Sequence, residues 1–345
     1  MAAGQLRVDL GAIAGNWRAL DALTGPGIET GAVVKADAYG LGIKPIVRAL
    51  AKAGARRFFV AQAQEARAIR EEVGHGPDIF VLTGHMAGDT DPIRGLDLIP
   101  MLNSIDQMTR HFEDLPGHPF GLQLETGMHR LGIGAGEWAA SRDLVAAAGP
   151  RLIISHLACA DDPLHPLNAI QLRNFLSMTE GLPTLRSIAA TGGILLGPDY
   201  HFDLVRPGIG LYGGLPFEKS QPVVRLSLPV VQAVEVETGG TVGYGATWVA
   251  RRPSRIVTVA SGYADGILRS LSGKPMLFHG RTACPLVGRI SMDLLTIDVT
   301  HLPELPDSLD LLCEHQSIDQ LAAQAGTIGY EILTSLGGRY DRTYS

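Results

Sequence analysis

The first residue that could do chemistry is a lysine at the end of a short apolar run. Lys35 follows Ala32-Val33-Val34 and precedes the loop Ala36-Asp37-Ala38-Tyr39-Gly40-Leu41-Gly42. Alternate residues of a strand share a face, so Val33 and Lys35 would point to the same side. Partial desolvation there lowers the pKa of the amine and makes it a nucleophile toward carbonyl carbon. The alternative interpretation is a lysine that extends from a strand end into solvent.

Three further side chains could take part in binding a ligand, two of them near glycines. Arg206 is followed by Pro-Gly, Tyr244 stands between two glycines, and His156 follows an apolar, β-branched run. Glycine lets a backbone approach a ligand closely. Taken singly, each residue has an ordinary structural explanation: a strand-end arginine at the surface, an aromatic residue in a sheet, and a hydrogen-bonded core histidine.

Alternating strand and helix patterns must position these residues. Helical periodicity is clearest in 43–53, 62–73 and 136–147. We predict eight strands, near 31–36, 57–61, 78–82, 97–102, 119–124, 151–156, 185–190 and 203–206. This alternation favours a parallel (β/α)8 barrel, with an open doubly wound sheet as the alternative. In a barrel, Lys35 would lie at the mouth, where such folds place their chemistry.

The pattern changes after about residue 225. Strand-like segments separated by glycine and proline turns lie at 226–236, 241–249, 255–260 and 295–299, and a helix is predicted near 317–325. The sequence therefore predicts a barrel domain over 1–225 and a mostly β domain over 226–345.

Composition excludes several classes of protein. The 345 residues carry a net charge of -6, with no basic stretch interleaved with aromatic residues, so nucleic acid is not an expected partner. The three cysteines form neither a metal pair nor a disulfide framework, so we expect no metal site and a reducing, cytoplasmic environment. No signal-peptide core and no run of about 18 apolar residues occurs, so no membrane association is expected.

Eight stretches in the same order resemble motifs of the alanine racemase family. The string from Lys35 to Gly42 resembles the lysine motif that binds pyridoxal 5'-phosphate, and the N-terminal Val8-Asp9-Leu10 resembles the opening of the family. The other six stretches are 125–132 (Glu-Thr-Gly-Met-His-Arg-Leu-Gly), 155–161 (Ser-His-Leu-Ala-Cys-Ala-Asp), 205–213 (Val-Arg-Pro-Gly-Ile-Gly-Leu-Tyr-Gly), 243–248 (Gly-Tyr-Gly-Ala-Thr-Trp), 262–266 (Gly-Tyr-Ala-Asp-Gly) and 288–293 (Gly-Arg-Ile-Ser-Met-Asp).

The resemblance implies a racemase with two bases. Lys35 would hold pyridoxal phosphate as a Schiff base and, once freed, act on one face of the substrate α-carbon. Tyr244 would act on the opposite face, contributed by the partner subunit of a homodimer with shared active sites. Inversion needs such a pair, because one base takes a proton and the other returns one from the opposite side.

Further roles follow from the resemblance alone. Arg206 would contact the pyridine nitrogen with His156 beside it, and Arg130 would bind the substrate carboxylate. The cofactor phosphate would be bound by Tyr39, Thr191, Gly208 and Ile209. Met292 of the partner subunit would contribute through its backbone. Asp293 would orient neighbouring polar groups, and Tyr263 would lie at the entrance. For Asp293 and Tyr263, a solvated turn charge and a packing aromatic residue are the alternatives.

The sequence departs from the family pattern at several positions. Gln123 replaces a lysine that is carbamylated in several members and steadies the arginine. Ser187 stands where some members have a histidine. Gly338 replaces a tyrosine that touches the phosphate and narrows the entrance, and we hypothesise that Tyr340 restores part of that wall.

The resulting hypothesis is a pyridoxal-phosphate-dependent alanine racemase that supplies D-alanine for peptidoglycan. A serine or broad-specificity racemase of the same family is the nearest alternative. A decarboxylase of related fold and a cofactor-binding protein without turnover are the others. The β domain with Tyr244 argues against the last of these.

Overall fold

The computed structural model describes residues 4–345 and contains two compact units. One unit comprises Ile13–Leu211 with Pro216–Ser220. The other comprises the N-terminal residues up to Ala12, then Tyr212–Leu215 and Gln221–Ser345. In the described part of the chain, no helix is long and apolar enough to cross a membrane.

The first unit is built on parallel strands that follow one another in chain order. Seven pair into one sheet: Ala32–Val33, Arg57–Val60, Asp78–Val81, Ile99–Leu102, Gly121–Gln123, Leu152–Ile154 and Leu185–Ser187. The eighth, Leu204–Val205, pairs in parallel with Glu29–Thr30 just before the first strand. Backbone hydrogen bonds from Asp203 N–H to Arg186 O and from Glu29 N–H to Asp203 O continue the ring. The predicted barrel is confirmed.

Helices cover the barrel, and their apolar faces explain why they form. In Ile43–Ala53, the buried residues recur at the three- and four-residue spacing of one helix face, and the helix stops at Gly54, which has a positive φ of 131°. The predicted helix over 62–73 begins as a 3₁₀ turn, Ala63–Glu65, and continues as Ala66–Val73. The other helices are Leu10–Asp21, Thr90–Gly95, Ile105–Asp114, Ala135–Ala148, Pro166–Thr179 and Thr191–Leu195.

The second unit is a mostly antiparallel sheet. Its strands, in spatial order, are Ser254–Ala260, Leu294–Asp298, Thr282–Val287, Met276–His279, Ser308–Leu312, Val224–Val236, Gln5–Val8 and Asp341–Tyr344. Val224–Val236 also pairs with Ser254–Ala260, and Gln5–Val8 runs parallel to Asp341–Tyr344. Helices Ile318–Ala325 and Gly329–Ser335 belong to the same unit.

The segment predicted as one strand over 241–249 is instead a small hairpin. Thr241–Val242 pairs with Trp248–Val249, and a 3₁₀ turn, Tyr244–Ala246, connects them. Gly243 and Gly245 have φ of 78° and 72°, which side-chain-bearing residues rarely adopt. The two glycines therefore break the strand and place Tyr244 on a turn.

Candidate active site

Lys35 begins a left-handed turn at the carboxyl end of the first barrel strand. The next four residues, Ala36 to Tyr39, have φ between 53° and 59°, although none is glycine. This conformation costs roughly 1–2 kcal/mol per residue for L-amino acids. Local bonds support the turn: Gly40 N–H donates to Ala36 O at 2.7 Å, and Asp37 Oδ1 accepts the N–H of Ile43 at 2.8 Å. Such strain persists only where surrounding structure holds it, which is common at functional sites.

The environment of Lys35 favours the neutral amine. Burial lowers its pKa, the positive charge of Arg130 lowers it further, and the carboxylate of Glu65 opposes both effects. The direction agrees with the expectation drawn from the apolar strand. A larger fraction of the amine is therefore unprotonated near neutral pH than for a lysine in water.

Arg206 is a buried cation with only neutral hydrogen-bond partners. Its side chain is 4% exposed. Nη1 donates to Ser187 Oγ, Nη2 donates to the carbonyl oxygen of Ser155 at 2.8 Å, and the guanidinium lies 5.9 Å from the ring centroid of Phe59. Burial lowers its pKa to about 9. Within residues 4–345 no carboxylate pairs with this guanidinium, so the site has a positive charge to offer to an anionic or electron-rich ligand.

His156 is neutral in this environment. Burial, followed by the charges of Arg206, Arg130 and Lys35, lowers its pKa to about 3. The backbone of His156 is fixed by Gln171, whose Nε2 donates to His156 O at 2.8 Å. Lys35, Arg130, His156 and Arg206 thus influence one another electrostatically, and the structure brings these four predicted residues together.

Three residues predicted to bind a phosphate also meet. Thr191 Oγ1 accepts hydrogen bonds from Gly208 N–H at 3.1 Å and from Gly210 N–H at 3.2 Å. A Cβ on Gly208 would overlap the hydroxyl of Tyr39, so any larger residue there would have to displace the Tyr39 side chain. Ile209 follows and begins the 3₁₀ turn Ile209–Tyr212. Tyr39, Thr191 and the Gly208 backbone therefore form one polar cluster after the eighth strand, where barrels commonly bind phosphate.

The fit to a cofactor can be judged from these donors. Among the described residues no group of three or more His, Cys, Asp or Glu could hold a metal ion. The cluster around Arg206 instead combines an amine of lowered pKa, unneutralised positive charge and hydroxyl groups. This set suits an organic anion bearing a carbonyl group, such as pyridoxal phosphate.

The loop that carries Arg130 is held by a carboxylate. Glu125 accepts hydrogen bonds from the N–H groups of Gly127, of Met128 at 2.7 Å and of His129 at 2.8 Å. The guanidinium of Arg130 itself is exposed and makes neither a hydrogen bond nor an ion pair with residues 4–345. Its charge is therefore available to a substrate carboxylate.

Gln123 supports the same loop through the backbone. Its Nε2 donates to the carbonyl oxygen of Leu131 at 3.1 Å, one residue beyond Arg130. The amide therefore steadies the chain after the arginine, in place of a contact with the guanidinium.

In the β unit, three predicted residues share one corner. Tyr263 N–H donates to Ser291 O at 3.0 Å, and Ala264 N–H donates to Met292 O at 2.9 Å. Arg339 joins the same two loops, because it donates to both oxygens of Asp265 at 2.6 and 2.7 Å and to Asp293 Oδ1 at 2.7 Å. Tyr263, Met292 and Asp293 are thus held together by backbone bonds and one bridging arginine.

Tyr244 is among the most exposed aromatic residues of this unit, with 72% of its surface accessible. A Cβ on either flanking glycine would lie 3.1–3.4 Å from Arg289, so the Tyr244 turn rests against the loop that leads to Met292. The stretch 288–293 therefore contacts both other C-terminal motifs, through Arg289 for the Tyr244 turn and through Ser291 and Met292 for 262–266.

The structure has open space at Gly338, and Tyr340 does not fill it. A Cβ added to Gly338 would meet nothing within 4 Å. Tyr340 is 5% exposed and its hydroxyl hydrogen-bonds Ser261 Oγ at 2.9 Å. It is part of the interior of the β unit, which leaves it little surface with which to shape an entrance.

Sequence reasoning missed several supporting residues. Glu65, Asp265 and Arg339 were not singled out, although Asp265 lies in the recognised stretch 262–266. For Glu65 the available signal was the Gln-x-x-Glu spacing of a capping box. Ser155 contributes its backbone carbonyl, which no residue type could reveal.

Comparisons with known proteins agree with this geometry. The sequence models of "Alanine racemase, N-terminal domain" and "Alanine racemase, C-terminal domain" match residues 8–216 and 223–344. An alanine racemase of Cereibacter sphaeroides is 62% identical over 344 residues, covering 100% of this chain and 99% of that protein.

Solved structures give the same result. Alanine racemase from Bartonella henselae with covalently bound pyridoxal phosphate is 37% identical, with a TM-score of 0.94 and 100% coverage of both chains. Biosynthetic alanine racemase from Pseudomonas aeruginosa is 36% identical, with a TM-score of 0.92 and 100% coverage of both chains. The resemblance seen in the motifs is confirmed: the chain belongs to the alanine racemase family.

Proposed function

We propose that this protein is a pyridoxal-phosphate-dependent alanine racemase that interconverts L-alanine and D-alanine. The observation that carries the proposal is the group of Lys35, His156 and Arg206 at the barrel mouth, where an amine of lowered pKa lies near a buried guanidinium that pairs with no carboxylate of residues 4–345. Family membership and the cofactor held by the Bartonella henselae enzyme support it. The proposal includes a cytoplasmic location and a supply of D-alanine for peptidoglycan.

Residues of the barrel would hold the cofactor. Lys35 would bind it covalently, Arg206 would meet the pyridine nitrogen, and Tyr39, Thr191, Gly208 and Ile209 would surround the phosphate. Bound pyridoxal phosphate supplies an electron sink that makes the substrate α-proton removable. Arginine keeps its proton, so Arg206 would hydrogen-bond the ring nitrogen without protonating it.

Two residues would move the proton. Lys35 would take or return it at Nζ on one face of the α-carbon, helped by the lowered pKa of its amine. The partner subunit's Tyr244 would act through its hydroxyl on the other face. Its high exposure makes it available to a second copy of the chain. Arg130 would bind the substrate carboxylate and so keep the α-carbon between the two groups.

The partner subunit would also complete the entrance. In the proposed homodimer, the partner subunit's Met292 would offer a backbone group to the substrate, the partner subunit's Asp293 would orient polar groups, and the partner subunit's Tyr263 would line the way in. The bridge that Arg339 makes to Asp265 and Asp293 would keep these loops in place.

One observation favours a broader substrate range as a second candidate. Gly338 leaves open space where many family members carry a tyrosine. A serine racemase, or a racemase of several amino acids, would use the same two bases with a wider pocket.

The test uses purified protein with pyridoxal phosphate and single enantiomers of alanine, serine, lysine and arginine. Chiral chromatography of the products should show conversion in both directions, with alanine fastest. Faster inversion of larger amino acids would move the assignment to the broader racemase. Bound cofactor without inversion of any amino acid would contradict racemisation and favour a decarboxylase or a cofactor-binding protein.

A further inference from the structure

One carboxylate joins the ends of the first two barrel strands beside Lys35. Glu65 Oε1 accepts the N–H of Ala36 at 2.9 Å, which is the residue directly after Lys35. Oε2 accepts the N–H of Ala61 at 2.7 Å and that of Gln62 at 3.3 Å, directly after the second strand. The two oxygens thus bind different segments of backbone.

The bonds through Oε2 are those of an ordinary helix cap. Glu65 Oε2 accepts the backbone N–H of Gln62, the residue before the turn Ala63–Glu65, which is one half of a capping box. The bond through Oε1 has no part in that cap, because Ala36 lies on a different strand-to-helix connection. It holds the first of the four left-handed residues that separate Lys35 from Gly40.

Charge gives Glu65 a second effect on the lysine. Its carboxylate raises the pKa of Lys35, whereas burial and Arg130 lower it. Bonds between an ionised acceptor and backbone N–H groups are about twice as strong as neutral ones. The same side chain therefore influences both where Lys35 lies and how easily its amine is protonated.

We propose that Glu65 is a positioning residue for Lys35, holding the left-handed turn so that the amine is aimed into the barrel mouth. The inference rests on the proposed function, since it assigns Lys35 to the cofactor. It concerns the backbone after Lys35 and requires no contact of Glu65 with cofactor or substrate.

The test compares Glu65→Gln with Asp9→Asn. Glutamine keeps one acceptor oxygen and places an NH₂ donor against one of the two backbone segments. Asp9 is a matched control, because its carboxylate accepts one backbone N–H, that of Ala12 at 2.8 Å, at the start of another helix. Ala36 is exposed, so water can replace its lost bond, and thermal stability should change little in either variant.

The direct readout is the modification of Lys35 by pyridoxal phosphate. Protein stripped of cofactor is incubated with pyridoxal phosphate over a pH series, trapped with borohydride, and analysed by peptide mass spectrometry. Glu65→Gln should shift the pH midpoint of Lys35 labelling downward, because the neighbouring negative charge is lost. The pyridoxal phosphate concentration for half-saturation should rise about tenfold.

Steady-state kinetics form the second readout. In Glu65→Gln, kcat should fall about 10- to 100-fold, while KM for alanine stays near the wild-type value because Arg130 is untouched. Asp9→Asn should leave kcat, KM and the labelling profile as in wild type.

Two results would overturn the inference. One is an unchanged labelling profile and kcat in Glu65→Gln. The other is a parallel loss of kcat and melting temperature with an unchanged labelling midpoint, which would make Glu65 a helix cap only. Failure of the proposed function is distinguishable, because wild-type protein would then label at Lys35 yet invert no amino acid, and the labelling comparison would still decide the role of Glu65.

Discussion

Replacing Ser187 with alanine should destabilise the protein through Arg206. Ser187 is fully buried, and its hydroxyl accepts from Arg206 Nη1 while it donates to Leu204 O. Arg206 has only one other hydrogen-bond partner among the described residues, the carbonyl oxygen of Ser155. Alanine would leave a buried cationic N–H without an acceptor.

The size of the effect follows from the charge. Hydrogen bonds to charged groups contribute about 1.5–3 kcal/mol, and bulk water does not reach this one because Ser187 and Arg206 are 0% and 4% exposed. We therefore expect the free energy of unfolding of the cofactor-free protein to fall by about 1.5–3 kcal/mol in Ser187→Ala. The affinity for pyridoxal phosphate should fall as well, because Arg206 would be less firmly held.

Urea unfolding followed by circular dichroism measures the first quantity, with Ser141→Ala as the control. Ser141 is half-buried, and its hydroxyl donates to a neutral carbonyl, Glu137 O, at 2.8 Å in a hydrogen bond that solvent can reach. The control should change stability by no more than about 0.5 kcal/mol. A change of that small size in Ser187→Ala, at an unchanged denaturant slope, would refute the view that Ser187 holds the guanidinium.

Three more outcomes are expected from the site geometry. Arg130→Lys should raise KM for alanine about tenfold or more and spare cofactor binding, because lysine cannot make two parallel bonds to a carboxylate; initial rates and cofactor titration measure both. Gly208→Ala should weaken cofactor binding, since its Cβ would overlap the hydroxyl of Tyr39. The control Gly136→Ala adds a Cβ in open space and should leave cofactor binding unchanged. Between pH 6.5 and about 3, His156 is protonated in the unfolded protein and neutral in the folded protein. The free energy of unfolding should therefore fall as the pH falls, by up to about 1.4 kcal/mol per pH unit. In His156→Asn, urea titrations at several pH values should show a smaller dependence of the free energy of unfolding on pH. An unchanged dependence would contradict the lowered pKa of His156.

Periodicity was enough to predict the barrel because each strand and helix carries its own pattern. The helix face of 43–53 lies as predicted, whereas the strand predicted near 31–36 ends at Val33, because a left-handed turn follows Lys35. The N-terminal strand Gln5–Val8 could not be assigned in this way. Its partners are Val224–Val236 and Asp341–Tyr344, more than 200 residues away in sequence, and only tertiary pairing reveals them.

The site was predictable where a side chain carries the chemistry. Lys35, His156 and Arg206 have distinctive types and neighbours, and the structure groups them. Support through the backbone was not predictable, because any residue type offers the same carbonyl or N–H. The carbonyl oxygen of Ser155 at Arg206 and the N–H of Ala36 at Glu65 are both of this kind.

The most direct test of the account mixes two inactive variants, Lys35→Ala and Tyr244→Phe. If the two bases come from different subunits, a mixed dimer contains one site with both residues intact. Random exchange of equal amounts should then restore about a quarter of the wild-type rate of alanine inversion. As a control, each single variant is mixed with the double variant Lys35→Ala/Tyr244→Phe. These mixtures form no site with both residues intact, so they should stay inactive. A mixture that exchanges subunits, binds pyridoxal phosphate and still inverts no alanine would contradict the shared two-base site.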